Sequence, residues 1–269
     1  MHWPPEQVAD FIGFTRSMLD KQGVQEVGIA PGETSNWYRF HEWGYAAAIA
    51  RHPAAMKNLG LVTSHGFIGF RPGRWFGDWR STGADLLREK NPKLHAWVTS
   101  QSWSKMDVDM LNEIRGNIYA AKVNGLIPWA VVRRPAKWVG GDPNPGTAFN
   151  IDEQGNLAVR PGYHWYKQVT RAGQPGMAVA EVASNDGEVL AIAFSANGTK
   201  NPDAFLVLNL RNVPRTVSIR VAGTAARSFA AFRSSANENY ASAGVVPVTD
   251  GAISYPAPAR SATTFFAAR

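Results

Sequence analysis

Three residues capable of acid–base or hydrogen-bonding chemistry stand near the ends of short apolar segments in the first half of the chain. Glu33 is a carboxylate, His65 carries an imidazole that can hydrogen-bond a substrate hydroxyl or orient a carboxylate, and Ser100 carries a hydroxyl. Ser100 has no visible histidine–aspartate pair to activate it, so it is a poor nucleophile. Two further carboxylates, Asp107 and Asp109, begin a predicted helix, where capping explains them. Glu33 is therefore the best candidate for a catalytic or hydroxyl-binding carboxylate.

Aromatic residues are the second chemical signal, because the chain has ten tryptophans and nine of them precede residue 140. Indole faces that line a cleft offer an apolar platform for sugar rings, and a tryptophan-rich core is the alternative. We expect Trp37 and Trp75 to lie in loops that face the cleft. The candidate substrate-binding residues combine rings with neighbouring polar groups: Trp37, His65, Phe67, Trp97, Gln101, Trp103 and Trp129.

Hydrophobic periodicity predicts alternating helices and strands that would position these residues. The predicted helices cover 4–22, 42–59 with an interruption or bend near Pro53, 82–90 and 107–124. The predicted strands cover 24–30, 61–67, a segment around Trp97, and 126–132, the last interrupted by Pro128. Such alternation indicates a parallel sheet wrapped by helices, with functional groups at the strand ends. A loop is expected over 133–162 and a short helix over 163–171. Six alternating runs between 177 and 267 then indicate a small antiparallel β-sandwich.

The chain has 269 residues, a net charge of +7 and no cysteine. This composition limits which partners and cofactors the chain could bind. Without thiolates or suitably spaced histidines, we expect no metal, and we expect no other cofactor. No apolar run approaches the roughly 18 residues of a membrane span. The basic residues are scattered, so we expect no nucleic-acid partner either. No secretory signal is visible, and the location stays open: secreted or periplasmic if a longer form carries an upstream signal.

Five short motifs occur in a set order: segment 4–11, Ser64-His65-Gly66-Phe67, Trp97-Val98-Thr99-Ser100, Trp129 and segment 162–166. In that order they resemble the second half of a clan A glycoside hydrolase, and family 30 most closely. The resemblance implies an α/β plus all-β chain. Its first part, 1–172, would be the C-terminal half of a (β/α)8 TIM barrel, strands five to eight, and its second part, 173–269, a β-sandwich domain.

Two departures from the family's pattern bear on activity. The family's general acid lies in an Asn-Glu pair on the fourth strand, which would precede Met1, and its nucleophile position holds Ser100 here, beside Gln101. Retaining hydrolysis needs two carboxyl groups about 5 Å apart. The resemblance therefore implies a retaining glycoside hydrolase of β-linked polysaccharide or oligosaccharide whose isolated chain is inactive and whose acid comes from a missing N-terminal half or a partner chain.

Three functions remain open at this point, and the retaining hydrolase described above is the first. Within it, Ser100 has three interpretations: the family branch has its nucleophile elsewhere, the protein has degenerated into a glycan binder, or the residue was deliberately replaced. A non-catalytic carbohydrate-binding protein would use the same aromatic cleft, and Arg133, Arg134 and Lys137 would favour uronic acids. An α/β domain whose partner is another protein is the third, because an unfinished barrel exposes strand edges and apolar faces that promote association.

Overall fold

A computed structural model describes residues 3–68, 81–102, 106–139 and 148–268, without the side chains of residues 101, 102, 136 and 139. The chain forms two compact units, one of residues 1–101 and 116–129 and the other of residues 102–115 and 130–269. The division at residues 172 and 173 into two fold types stays a prediction, because compact units and domains need not share boundaries.

Six helices lie wholly or partly in the first unit: α1 (Pro5–Lys21), α2 (Trp37–Glu42), α3 (Tyr45–Arg51), α4 (Pro53–Asn58), α5 (Thr82–Lys90) and α6 (Val108–Ala120), the last of which begins in the second unit. The interruption predicted near Pro53 in the helix over 42–59 is confirmed, but a second break near Gly44 was not predicted. Gly44 adopts a left-handed conformation, with φ at +78°, and Pro53 starts a new helix, so the segment breaks twice. Among the described helices, none has the length and apolar character of a membrane crossing.

Four parallel strands form the sheet of the first unit in the order in which they occur along the chain: β1 (Glu33–Thr34), β2 (Leu61–Ser64), β3 (His95–Ser102) and β4 (Gly125–Trp129). The strand predicted over 24–30 is wrong, since only Ile29 forms a bridge there, to Leu59. At this crossing the backbones of Gly28 and Gly60 touch, and a Cβ on Gly28 would lie 2.6 Å from the Gly60 Cα.

The strand register divides the side chains of this sheet between two faces. Val62 pairs with Ala96, and both are fully buried. Thr63 pairs with Glu33 on one side and Trp97 on the other, so these three share the opposite face. Trp129 ends β4 with 54% of its surface exposed. One face of the sheet is therefore covered and the other is open in part.

From residue 130 onward, the second unit contains a short helix and short strands where a loop was predicted. Residues 133–162 contain α7 (Ala136–Val139), β6 (Phe149–Ile151) and β7 (Leu157–Val159), and β5 (Val132–Arg133) pairs with β6, so this prediction is wrong for its described part. The glycine- and proline-rich residues 140–147 lie outside the described residues. Helix α8 (Pro161–Ala172) follows, close to its predicted bounds.

The remaining strands are antiparallel, as the alternating runs predict. They are β8 (Ala178–Ala180), β9 (Val189–Ser195), β10 (Ala204–Asn209), β11 (Arg215–Arg220), β12 (Ser228–Ser235), β13 (Glu238–Pro247), β14 (Ala252–Ala257) and β15 (Ser261–Ala267). One sheet has the order β13-β12-β15-β10-β9-β8, and β11 pairs with β14 in another. Phe205 stacks on Phe265 at 4.7 Å, and Tyr255 of β14 meets Phe265 edge-on at 4.9 Å, so both sheets contribute to one hydrophobic core.

Candidate functional site

A carboxylate and an imidazole meet at the carboxyl edge of the parallel sheet. Parallel strands end at the same edge, which is where α/β folds place their ligands. Glu33 was predicted to lie past the first strand, but it lies within β1, and His65 directly follows β2. His65 Nε2 lies 3.0 Å from Glu33 Oε2, and the side chains are 36% and 40% exposed, respectively. An ionised carboxylate only accepts hydrogen bonds, so a hydrogen bond across this contact would require a proton on Nε2.

The backbone around His65 continues the pairing of the two strands. His65 N donates to Thr34 O at 2.8 Å, and Phe67 N donates to Ser35 O at 3.2 Å. The Ser64 hydroxyl donates to Thr34 O at 3.0 Å from the buried side. The Phe67 ring stands edge-on to the imidazole at 5.4 Å and is partly exposed. His65 and Phe67, two predicted binding residues, are thus brought together beside Glu33.

The predicted tryptophans occupy three different environments. Trp129 is exposed at the end of β4, where its ring is available to a ligand. Trp97 is half-buried and packs over Gly125, where a Cβ would lie 3.0 Å from the indole Nε1. Trp37 was expected in a loop facing the cleft, but it begins α2 and is 0% exposed. Its indole donates to Asn117 Oδ1 at 2.7 Å, so in this conformation it offers no face to a sugar.

Ser100 lies in β3, three residues after Trp97, and is half-buried. Gln101 belongs to the same strand, but its side chain lies outside the described residues, as do Trp103 and Trp75. Within the four strands of the sheet, Glu33 is the sole carboxylate. The described edge therefore carries one carboxyl group, and the Ser100 position supplies none.

The two aspartates near α6 have structural partners: Asp107 caps the helix, as predicted, and Asp109 pairs with an arginine instead. Asp107 Oδ1 accepts from Met110 N at 3.2 Å, and Asp109 Oδ1 lies 3.0 Å from Arg260 Nη1. Burial raises the pKa of Glu113, and repulsion by Asp109 and Asp107 raises it further. These carboxylates form a local cluster of the second unit, and no group of three or more potential metal ligands occurs in the described part of the chain.

The basic residues proposed to favour uronic acids lie at a groove of mixed charge. Arg133 and Arg134 line a groove of about 640 Å³ together with Asp152 and Glu153. Lys137 is ion-paired with Glu153. Hydrogen bonds from Asn156 hold the pKa of Asp152 below its usual value, so this carboxylate is charged. The preference for acidic sugars stays a prediction.

Two features of the site were missed in the sequence. Arg39 of α2 donates from Nη1 to the Ser35 hydroxyl at 2.7 Å, just after β1. Asn117 is fully buried in α6 and bridges α2 and the segment after β2. Asn117 sits between Ile114 and Ile118 in the apolar stripe, so a polar residue at a buried helical position was the available signal.

Comparison with known proteins gives a result at the level of structure only. No family model matches the sequence, and no curated protein does. The endoxylanase of glycoside hydrolase family 30 from Clostridium papyrosolvens superposes with a TM-score of 0.72 at 16% identity, over 99% of this chain and 61% of that one. The fold is similar to that of family 30 glycoside hydrolases. The resemblance to family 30 that the motifs predicted is therefore confirmed at the level of the fold.

Other clan A enzymes share the family 30-like fold. The catalytic domain of the family 30 xylanase C from Talaromyces cellulolyticus gives a TM-score of 0.72 at 16% identity, over 100% of this chain and 58% of that one. The endo-β1,6-glucanase BT3312 gives 0.61 at 14% identity, over 100% and 55%. The chain thus spans less than two thirds of the length of these enzymes, and the parallel sheet of the first unit fits a partial TIM barrel.

Proposed function

We propose that this chain provides the glycan-binding half of a retaining glycoside hydrolase that acts on β-linked polysaccharide. The observation that carries the proposal is the exposed Glu33–His65 pair at the carboxyl edge of a parallel sheet, in a fold similar to that of enzymes named for xylan and β-1,6-glucan. A carboxylate accepts from sugar hydroxyls, and the imidazole completes a polar pair that fixes its orientation. The Phe67 ring lies beside this pair, and the exposed Trp129 ring at the end of β4 supplies further apolar surface on the same sheet.

The proposed chain does not cleave a glycoside by itself. Retaining hydrolysis needs a nucleophile and an acid about 5 Å apart. Glu33 is the one carboxylate of the four strands, and Ser100, at the position equivalent to the nucleophile, is a weak nucleophile toward an acetal. Hydrolysis therefore requires carboxyl groups from elsewhere, and the general acid would come from a further β/α segment.

Two apolar surfaces support such a completing segment. Parallel sheets are ordinarily covered on both faces, but Ile127 is exposed on β4. Helix α1 buries Val8 and Ile12, while Phe11, Phe14 and Met18 form a second, exposed stripe, with Phe14 60% exposed. We propose that four additional β/α units, from the same polypeptide or a partner chain, cover these surfaces and close an eight-stranded barrel, with the antiparallel strands forming a β-sandwich.

Binding is tested by titrating the intrinsic tryptophan fluorescence with xylo-oligosaccharides and β-1,6-gluco-oligosaccharides, and with malto-oligosaccharides as the α-linked control. We expect saturable quenching by a β-linked ligand that Glu33→Gln and Trp129→Ala weaken, and no release of reducing sugar from xylan. The absence of a response to every β-linked ligand would refute the proposed site. If the isolated chain hydrolyses a glycoside and Glu33→Gln abolishes that hydrolysis, the chain does not lack its catalytic carboxyl groups, and this part of the proposal is wrong.

A non-catalytic glycan-binding protein is the second candidate, favoured by the serine at position 100. The substitution Ser100→Glu separates the two candidates when it is made in a chain that contains the completing half. Hydrolysis by the completed chain with serine at position 100 supports the enzyme, whereas hydrolysis gained only with Ser100→Glu supports a scaffold that lost its nucleophile and now binds glycan. Binding without hydrolysis in both forms supports the binding protein.

A further inference from the structure

We infer that Trp37 and Asn117 form a positioning pair that holds the segment His65–Phe67 so that the imidazole faces Glu33. The role of this arrangement in glycan binding rests on the proposed function. The hydrogen bonds that form it do not. Neither residue touches the exposed edge: Trp37 and Asn117 are both 0% exposed. They act through the backbone that carries His65.

The Asn117 amide uses its two ends for two different partners. Its Oδ1 accepts from the Trp37 indole Nε1 at 2.7 Å, and its Nδ2 donates to Gly66 O at 2.9 Å. Because the indole nitrogen is only a donor and the carbonyl is only an acceptor, one orientation of the amide satisfies both. The chain of bonds therefore fixes the peptide between Gly66 and Phe67, one residue after His65.

The space around Gly66 is filled by neighbouring side chains. Gly66 has a left-handed φ of +72°, and a Cβ there would lie 2.6 Å from Val98 Cγ2 and 2.7 Å from Asn117 Oδ1. On the other side of the turn, Gly66 N donates to the Ser64 hydroxyl at 3.1 Å. The turn between His65 and Phe67 is thus held by hydrogen bonds and by close packing at once.

The position of Asn117 in α6 is costly unless the amide has a role. A buried amide without hydrogen bonds is unfavourable relative to an apolar side chain of the same shape, because the amide loses its contacts with water. A leucine would suit the stripe between Ile114 and Ile118. A fully satisfied buried polar network instead specifies one arrangement, and the arrangement specified here is that of the residue beside Glu33.

The test measures the protonation site of His65 in the ligand-free protein by ¹⁵N nuclear magnetic resonance. In the wild type we expect the proton on Nε2, which faces Glu33 Oε2. In Asn117→Leu and Trp37→Phe we expect the His65 nitrogen shifts to move toward those of an unrestrained histidine. We also expect weaker binding of the β-linked oligosaccharide, by about five- to tenfold, as for one lost hydrogen bond.

Gln168 offers a matched control in the second unit. It is also 0% exposed and donates from Nε2 to Ser234 Oγ at 2.8 Å, so Gln168→Leu removes buried amide bonds of the same kind. We expect Gln168→Leu to leave the His65 shifts unchanged. Unchanged His65 shifts in folded Asn117→Leu would overturn the inference, and if that variant does not fold, Trp37→Phe decides, because it keeps an aromatic ring and removes the donor.

The two proposals fail separately in this design. If the His65 shifts move as expected while the wild type binds no β-linked oligosaccharide, the positioning pair stands and the proposed function is refuted. If the wild type binds glycan and neither variant alters the His65 shifts or the affinity, the proposed function stands and the positioning pair is refuted.

Discussion

The tight turn at Gly66 gives a quantitative prediction for the substitution Gly66→Ala. Gly66 and Gly23 have nearly the same left-handed φ, +72° and +74°, so an alanine pays the same conformational penalty at both, about 1–2 kcal/mol. A Cβ at Gly23 meets nothing within 4 Å, whereas one at Gly66 would lie 2.6 Å from Val98 Cγ2. Forcing an extra methyl group into a packed interior costs about 1–3 kcal/mol more.

The two variants together isolate the steric contribution. The entropy lost by the unfolded chain, about 0.4–1 kcal/mol, offsets part of the cost equally at both sites. We therefore expect Gly23→Ala to lower the free energy of unfolding by about 1 kcal/mol and Gly66→Ala by about 2–4 kcal/mol. Urea denaturation at 25 °C, followed by tryptophan fluorescence, measures both. Equal losses, within about 0.5 kcal/mol, would refute the packing argument.

Three further predictions concern charge, surface and core. Because burial and the neighbouring Asp109 and Asp107 raise the pKa of Glu113, its protonated form favours folding, and stability falls as pH rises through the raised pKa. Glu113→Gln should flatten this loss in Tm measured from pH 4 to 8, and an unchanged slope contradicts it. Phe14→Ser should reduce self-association in sedimentation velocity with a change of stability within about 0.5 kcal/mol, since the ring is exposed; association equal to that of the wild type would exclude this surface. Phe265→Ala should cost about 3–5 kcal/mol in urea denaturation, because the ring is fully buried between two sheets, and a loss under 1 kcal/mol would contradict the packing.

Local signals predicted the elements whose ends are marked by their own residues. Helix α5 occupies Thr82–Lys90, the predicted range, and the Ser81 hydroxyl caps it by accepting from Ala84 N at 3.1 Å. A cap and an apolar stripe act within one or two turns, so the sequence contains them in full. The same holds for α8, where Pro161 starts a helix with a strongly one-sided apolar pattern.

The positions of strands, whose pairing depends on residues distant in the sequence, were predicted less accurately. The apolar run 24–30 has the composition of a strand, but Val24 and Val27 are exposed, and Ile29 forms a single bridge before the first strand begins at Glu33. Strand β13, Glu238–Pro247, was missed because it is rich in small and polar residues and lies at the edge of its sheet. Strand pairing depends on the neighbour across the sheet, which no local window contains.

The candidate site was predicted in part for the same reason. Glu33, His65 and Phe67 were named from their places near strand ends, and the structure brings them together. Trp37 was predicted to face the cleft, because tryptophan occurs in sugar-binding platforms as well as in cores. It is buried instead, and its indole donates a hydrogen bond to Asn117, which is 80 residues away in the sequence. Residue type alone does not distinguish those environments.

The contact between Gly28 and Gly60 constrains how this sequence can vary. Each would carry its Cβ into the backbone of the other, at 2.6 Å and 2.5 Å from the opposing Cα, so the obstruction is main chain and not a movable side chain. A larger residue at either position has no smaller residue to compensate it at the other, since glycine is already the smallest. In a library of random variants, these two positions should therefore tolerate glycine alone, and no second-site suppressor should arise within the pair.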